Sequence, residues 1–478
     1  MMKKILFFFL VLQCAALAQS GLARKNDVRD SLNNRLGSNW VTPQMYGAVD
    51  DGTVDASVAI NQAFANAVSE GVVYGEDITL YIPNGIYRID NPIVLQTTTG
   101  YRSVNIIGQS ALNTRFYYYG GADTSAFYLS RVSRFKMSNL SIYNYTTGNP
   151  QTTGTATGVR VLGNTAGGAD NVIGIFENIA IQGFEYGIRL GSTTYPAANA
   201  AEEMTYLNID ISYCKTGVQI EGDNSLNHTF INPNIVWSGT GIRTVEANSI
   251  NVFGGSFSHD SVACMQFIYP GSFNIIGARA ETSPKFIVTG YQEYAGGSTP
   301  TTMVIQGNKF RNIETSGTYA MSDSVAIHIG KAGLYTIMNN TLSGLIEIAT
   351  GIGVTSTITL KNNAVSQDTL YRIQNNNIAG NYNVRVISEG NTNTSALTRG
   401  EFFPYEKILF NGVKTNENNS ELQNGGFFNH NPFGANRLYN PNLENLLFAG
   451  TSRFTISDTS FQTITEWRLF DGQYAQYA

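Results

Sequence analysis

Three arginines recur at one position of a repeated run: Gly158-Val-Arg-Val161, Gly187-Ile-Arg-Leu190 and Gly241-Ile-Arg-Thr244, with Gln219 replacing the arginine in Gly217-Val-Gln-Ile220. Alternation along a strand sends Val159 and Val161 to one face and Arg160 to the other. Arg160, Arg189 and Arg243 are therefore expected to stack with Gln219 on one outer sheet. Like charges in such a column repel unless an anion neutralises them. A polyuronate or sulfated glycan would do so, because a guanidinium matches a carboxylate with two parallel bonds. These arginines are thus candidate substrate-binding residues. The alternative is a solvated face balanced by acids such as Glu177, Glu185 or Glu221.

A second column follows further along. If Phe257, Ala280 and Phe310 point inward, then Ser256, Arg279 and Lys309 point outward, and so do Ser258, Glu281 and Arg311. Glu281 then lies between Arg279 on its own strand and Arg311 on the next coil, with His259-Asp260 just beyond at a turn. Two chemistries fit. In β-elimination a base removes the proton next to a uronate carboxylate while Arg279 or Arg311 neutralises it, with a carboxylate or Ca²⁺ assisting. In hydrolysis two carboxylates flank the glycosidic bond, and Asp260 with Glu281 is the nearest pair. Glu281, Arg279, Arg311 and Asp260 are the catalytic candidates, and His259 a binding candidate. A surface salt-bridge cluster contributing little stability is the alternative.

His228 and His328 lie inside strand patterns and read as structural. No CxxC, HExxH, EF-hand, P-loop or dinucleotide pattern is present, so no metal site is expected.

The elements that must hold these side chains are repeats. Asn139-Leu-Ser-Ile142, Asn178-Ile-Ala-Ile181, Asn208-Ile-Asp-Ile211 and Asn232-Pro-Asn-Ile235 align, each preceding a Gly-led strand. The period is about 22–30 residues, in the range of stacked coils. An insertion of about ten residues falls within Tyr145–Thr157, and another covers Ser192–Glu203; loops on a rigid scaffold often carry binding residues. The pattern continues through Asn251–Phe257, Asn274–Ala280, Ile305–Phe310, Ile337–Leu342, Leu360–Val365 and Ile373–Ile378. The last two are too close for a full coil, so one is expected on another sheet. Asn308, Asn340 and Asn363 are placed to form an amide ladder. One coil cannot bury its apolar face alone, so coils must stack, and crossovers between parallel strands are nearly always right-handed.

The N-terminal block Tyr46-Gly-Ala-Val-Asp-Asp-Gly-Thr-Val-Asp-Ala-Ser57 leads into a short amphipathic run and Leu80-Tyr-Ile-Pro-Asn-Gly-Ile-Tyr-Arg-Ile89. Asp55 is a good cap for a helix whose apolar face is Ile60, Ala63, Phe64 and Ala67. Asp51 and Asp55 read as capping residues rather than a catalytic pair. The block resembles the opening of the pectate-lyase-like superfamily, of the rhamnogalacturonase/epimerase-like type. That resemblance is strongest over residues 41–107 and continues as repeat architecture to about 400. It implies an all-β, right-handed parallel β-helix with an N-terminal capping helix and a small C-terminal β-rich segment. It also implies a polysaccharide partner: an exported lyase or glycoside hydrolase on an acidic glycan, with Ca²⁺ if a lyase. A non-catalytic glycan-binding surface protein, adhesin or tailspike-like β-helix is the other class it implies. Tailspike-like relatives are trimers, which implies a homotrimer, although no trimerisation segment is recognisable. The polygalacturonase motifs Asn-Thr-Asp, Gly-His-Gly and Arg-Ile-Lys are absent, and the only Asp-Asp is Asp50-Asp51. No catalytic residue carries over from the family.

Residues 1–18 read as a secretory signal with cleavage near Ala18, which predicts export. Residues 19–38 read as a linker, 39–400 as the β-helix and 401–478 as a β-rich appendage. Phe402-Phe403-Pro404, Gly425-Gly426-Phe427 and Phe454-Thr-Ile456 are its strand-like runs. No later stretch is long and apolar enough to span a membrane. A net charge of −5 argues against nucleic acid. Cys214 and Cys264 fall about two coils apart, beyond disulfide reach, so two buried thiols are expected. The 26 Tyr and 26 Phe read more readily as stacked core aromatics than as sugar platforms.

Overall fold

The computed structural model describes residues 40–393, except 70–77, 97–102, 131, 133, 164–171, 192–200, 223–224, 246, 248, 291–300, 313, 315, 322–324, 349–355, 367–369 and 374–383. Beyond these it describes four short strands between residues 427 and 476. The signal and linker expectations lie outside the described residues, as do the runs at 402–404 and 454–456.

The chain forms a parallel β-helix. Each full coil contributes one strand to each of three parallel ladders. The first ladder runs from Trp40–Val41 through Ile78–Ile82 to Val384–Glu389, and the second from Asp51–Asp55 through Gly85–Ile89 to Thr392–Asn393. Two long strands, Arg134–Asn144 and Val172–Gln182, pass through both ladders, which joins them as one sheet of 24 strands. The third ladder holds 11 strands, from Ile93–Gln96 to Tyr371–Ile373. Leu360 lies on the first ladder and Ile373 on the third, which accounts for their close spacing.

Alternation builds the core. On the second ladder Tyr87, Phe116, Ile142, Ile181, Ile211, Ile235, Phe257, Ala280, Phe310, Leu342 and Val365 stack in register and are buried. The first ladder stacks Phe176, Tyr206 and Phe230 the same way, with Tyr206 and Phe230 rings 4.1 Å apart and nearly parallel. His228 belongs to this core. Its Nδ1 lies 3.1 Å from the Tyr206 hydroxyl, and burial pushes its pKa down to about 3.

From Asn139 onward the bend between the first two ladders carries a left-handed residue on successive coils. Asn139, Asn178, Asn208 and Asn232 take it with φ near +50 to +57, and Gly254, Gly277 and Gly307 take it later. Asparagine tolerates this conformation better than other side chains except glycine. Its amides then link coils: Asn178 donates to Asn139 (3.3 Å), Asn208 to Asn178 (3.2 Å) and Asn232 to Asn208 (3.1 Å). One residue further on, the expected buried ladder forms. Asn308 donates to Asn340 (3.0 Å), Asn340 to Asn363 (2.9 Å), and Asn363 to Asn391 (3.0 Å).

Helix α1, Ser57–Ser69, covers the N-terminal end, with Ile60, Ala63 and Phe64 buried. The Asp55 carboxylate accepts from the Ser57 N–H (2.9 Å) and the Asp90 N–H (3.0 Å). Burial would raise its pKa, but these bonds and those from the Ser57 hydroxyl and Asn91 outweigh it, so the net shift is downward. Asp51 closes a turn by accepting from Thr53. Asp55 thus braces the helix start as the capping pattern predicts, whereas Asp51 serves its own turn and not the helix. Cys214 and Cys264 are buried free thiols. In the C-terminal region Phe427–His430 pairs antiparallel with Asn436–Tyr439, and Glu466–Arg468 with Tyr474–Gln476.

Candidate functional site

The outward side of the third ladder carries the expected column. Tyr128, Arg160, Arg189, Gln219, Arg243, Gln266, Val288, His328 and Glu347 occupy successive coils in register. The column does not form an open groove. Gln219 and Gln266 are buried, Arg160 keeps only 13% of its side-chain exposure, and Glu221 lies fully within this face. Glu221 supplies the neutralising charge. Its carboxylate accepts from Arg189 Nε (3.1 Å), Arg189 Nη2 (3.2 Å) and Gln219 Nε2 (2.6 Å), and Arg160 Nη1 approaches to 3.8 Å. Arg243 donates to the amide oxygens of Gln266 (3.2 Å) and Gln219 (3.3 Å). Further along, His328 Nδ1 meets Glu347 at 2.6 Å. Arg160, Arg189 and Arg243, expected to line a glycan groove, instead form a polar chain, nearly enclosed at Arg160 and half-buried at Arg189 and Arg243, and one of the balancing acids weighed from the sequence, Glu221, sits among them.

The second ladder differs. Ser256, Arg279 and Lys309 share one outward column, and Ser258, Glu281 and Arg311 share the next, as the alternation predicts. Arg279, Lys309 and Arg311 are exposed. Arg279 Nη2 pairs with Glu281 Oε1 at 2.6 Å across their own short strand. Three cations therefore stand in solvent around one carboxylate.

Asp260 does not join Glu281. It is fully buried, its Oδ1 accepts from the Ser238 N–H (3.2 Å), and its own N–H donates to Ser283 Oγ (3.1 Å). Burial raises its pKa well above the ordinary value, although the bond from the Ser238 N–H opposes the shift. A hydrolytic pair of Asp260 and Glu281 is thus ruled out, because one faces the interior and the other solvent. Nor does this face suit Ca²⁺, which takes about six to eight oxygen ligands. Glu281 is a single carboxylate already paired with a guanidinium.

His259 lies on the corner between the second and third ladders, in the left-handed region with Tyr213 and Trp237. The three rings run along consecutive coils. Tyr213 and Trp237 are parallel with centroids 6.1 Å apart, Trp237 and His259 stack at 3.8 Å, and Tyr319 packs edge-on against both. Because the rings face one another, they present mainly edges to solvent, and Trp237 is 41% exposed. Two loops flank the row. Tyr319 comes from the segment after Arg311, held by Asn312 Nδ2 donating to its carbonyl (2.8 Å). The insertion after Tyr145 crosses the corner one coil before Tyr213: the Gly154 N–H donates to the Gly183 carbonyl (2.8 Å) and Thr153 Oγ1 to the Tyr213 carbonyl (2.9 Å). Sequence reasoning missed this row apart from His259. Its signal was present: Tyr213, Trp237 and His259 each stand five residues after the bend residue Asn208, Asn232 or Gly254.

No protein-family model matches the chain, and no curated protein matches it. Solved structures do. The surface protein and adhesin PfbA of Streptococcus pneumoniae is similar with a TM-score of 0.51 and 13% identity, over 74% of this chain and 96% of that one. The A-module of the mannuronan C-5 epimerase AlgE6 of Azotobacter vinelandii gives 0.45 and 16%, over 73% and 98%. ORF18 of Geobacillus virus E2 gives 0.43 and 13%, over 77% of this chain and 62% of that one. At these identities the likeness to PfbA concerns the fold, and residue chemistry rests on the geometry above.

Proposed function

We propose that this parallel β-helix is an exported protein that holds an acidic, uronate-containing polysaccharide against the outer face of its second ladder. The observation that carries the reading is the charge imbalance there. The two adjacent strands Arg279–Glu281 and Lys309–Arg311 project three cations, Arg279, Lys309 and Arg311, and one carboxylate, Glu281. Such a column favours an anionic ligand, and the guanidiniums can grip carboxylates with paired bonds. The rings of Tyr213, Trp237 and His259 stand one residue beyond this face, with Tyr319 packed on them from the loop after Arg311, where they offer polar donors and apolar area to a sugar.

A second reading, β-elimination, draws support from the placement of Glu281 between Arg279 and the Arg311 coil. Here Arg279 and Arg311 neutralise the uronate carboxylate, Glu281 takes the adjacent C5 proton, the electron pair forms the C4=C5 double bond, and the C4–O glycosidic bond breaks with its oxygen protonated from water. One experiment separates the two. The protein is incubated with a panel of uronate polysaccharides, and retention, ultraviolet absorbance of unsaturated uronate and new reducing ends are followed. Retention alone, lost in Arg279→Ala/Arg311→Ala, supports binding. New absorbance abolished by Glu281→Gln supports elimination. Neither retention nor turnover on any acidic glycan overturns both.

A further inference from the structure

The third ladder contains one unresolved charge. Arg160 and Arg189 occupy the same outward column on adjacent coils and lean on the same carboxylate. Glu221 is already engaged at both oxygens by Arg189 and at one by Gln219. Among the described residues Arg160 receives the 3.8 Å approach to Glu221 Oε2, and its Nη1 is buried without a hydrogen-bond partner. Two guanidiniums thus share one carboxylate in a place where little water reaches. A buried charge left short of partners costs several kcal/mol, so a site of this kind gains by taking up a counter-ion. Burial, and next the charge of Arg189, pull the Arg160 pKa down to about 10, which is the same deficit seen as a titration. Tyr128 on the preceding coil and Tyr186, whose ring lies 4.7 Å beneath the Arg189 guanidinium, add phenolic groups to the surroundings.

We propose that Arg160 and Arg189 form a binding site for one small oxyanion, of sulfate, phosphate or carboxylate type, held within the third ladder. This site is separate from the second-ladder face and does not depend on the glycan reading. A free ion suits it better than a polymer, because Arg160 is nearly enclosed.

The test uses the whole protein in an anion-poor zwitterionic buffer. Sodium sulfate is titrated by calorimetry and by thermal melting, with a uronic-acid monosaccharide in a parallel arm. The expected result is saturable binding of one sulfate per chain and a melting temperature that rises and then levels off. Arg160→Met should weaken binding at least tenfold, and without added anion should melt no lower than the wild type. Arg160→Lys, which keeps the charge but loses the planar fork, should weaken binding severalfold and decides the matter if the Met variant fails to fold. Binding of the sugar acid in place of sulfate supports the same oxyanion site and assigns it to a sugar carboxylate. Arg279→Ala/Arg311→Ala should bind sulfate like the wild type, so failure of the glycan reading leaves this result readable. Absence of calorimetric binding in the wild type overturns the proposal. So do equal, non-saturating melting shifts in wild type and Arg160→Met.

Discussion

Two outward columns of cations stand on the same solenoid and have opposite fates. On the third ladder Arg160, Arg189 and Arg243 are drawn into a polar chain with Glu221, Gln219 and Gln266. On the second ladder Arg279, Lys309 and Arg311 stay in solvent, and Glu281 is the one carboxylate on their two strands. The chemistry of the side chains is nearly identical, and the alternation that aims them outward is the same. Burial makes the first column mostly an element of architecture, in which Glu221 and the glutamines pair with Arg189 and Arg243 while Arg160 Nη1 is left short of a partner. Exposure leaves the second free to meet a ligand, where the ion pair within it contributes little to folding.

The contrast is broken most directly at Glu221. Glu221→Ala strips the internal column of its carboxylate and should destabilise the protein by about 3–5 kcal/mol, the usual cost of leaving buried partners uncompensated, read as a lowered denaturation midpoint. A loss below about 0.5 kcal/mol would show that the column is solvated like its counterpart. On the second ladder, Arg279→Ala/Arg311→Ala should weaken retention on a uronate polysaccharide by about a hundredfold or more, since hydrogen bonds to charged groups contribute about 1.5–3 kcal/mol each and two are lost. The same double variant should melt within a degree or two of the wild type. An unfolded double variant would place these arginines with the structural column instead.

Asp260 sharpens the comparison through pH. Its folded pKa is raised above the ordinary value of 3.8, so the native state holds the proton more tightly than the unfolded chain. This contribution to stability is whole below the unfolded pKa and declines as pH rises toward the folded one. Asp260→Asn, which stays neutral, should flatten that decline in melting temperature above pH about 4 while leaving glycan retention unchanged. Altered retention would return Asp260 to the site. The smallest effect belongs to Glu281→Gln, which should change stability by less than about 1 kcal/mol, as for other exposed ion pairs, measured by denaturant titration.

Much of the scaffold was legible in the chain. Asn139, Asn178, Asn208 and Asn232 announce the bend because few residues accept positive φ. The Asn308–Asn340–Asn363 ladder, the inward run Phe257–Ala280–Phe310 and the capping role of Asp55 all follow from local spacing. The candidate site was only partly legible. Glu281 with Arg279 was found by alternation, whereas Asp260 was placed with them because it is close in sequence, one residue past the corner where the chain turns inward. The aromatic row at Tyr213 and Trp237 is hard to read from the Asn and Gly positions that mark the repeat, because the corner residues vary in type.

The sequence by itself determined the coil, the register and the side of each strand on which a side chain emerges. These depend on a period of two and on residues that tolerate one backbone conformation, both local properties. Only the tertiary structure decided which outward faces remain outside. Glu221 reaches Arg189 across 32 residues of chain and Arg160 across still more. Whether an outward arginine meets water or a carboxylate depends on what distant coils bring beside it, and no local pattern encodes that.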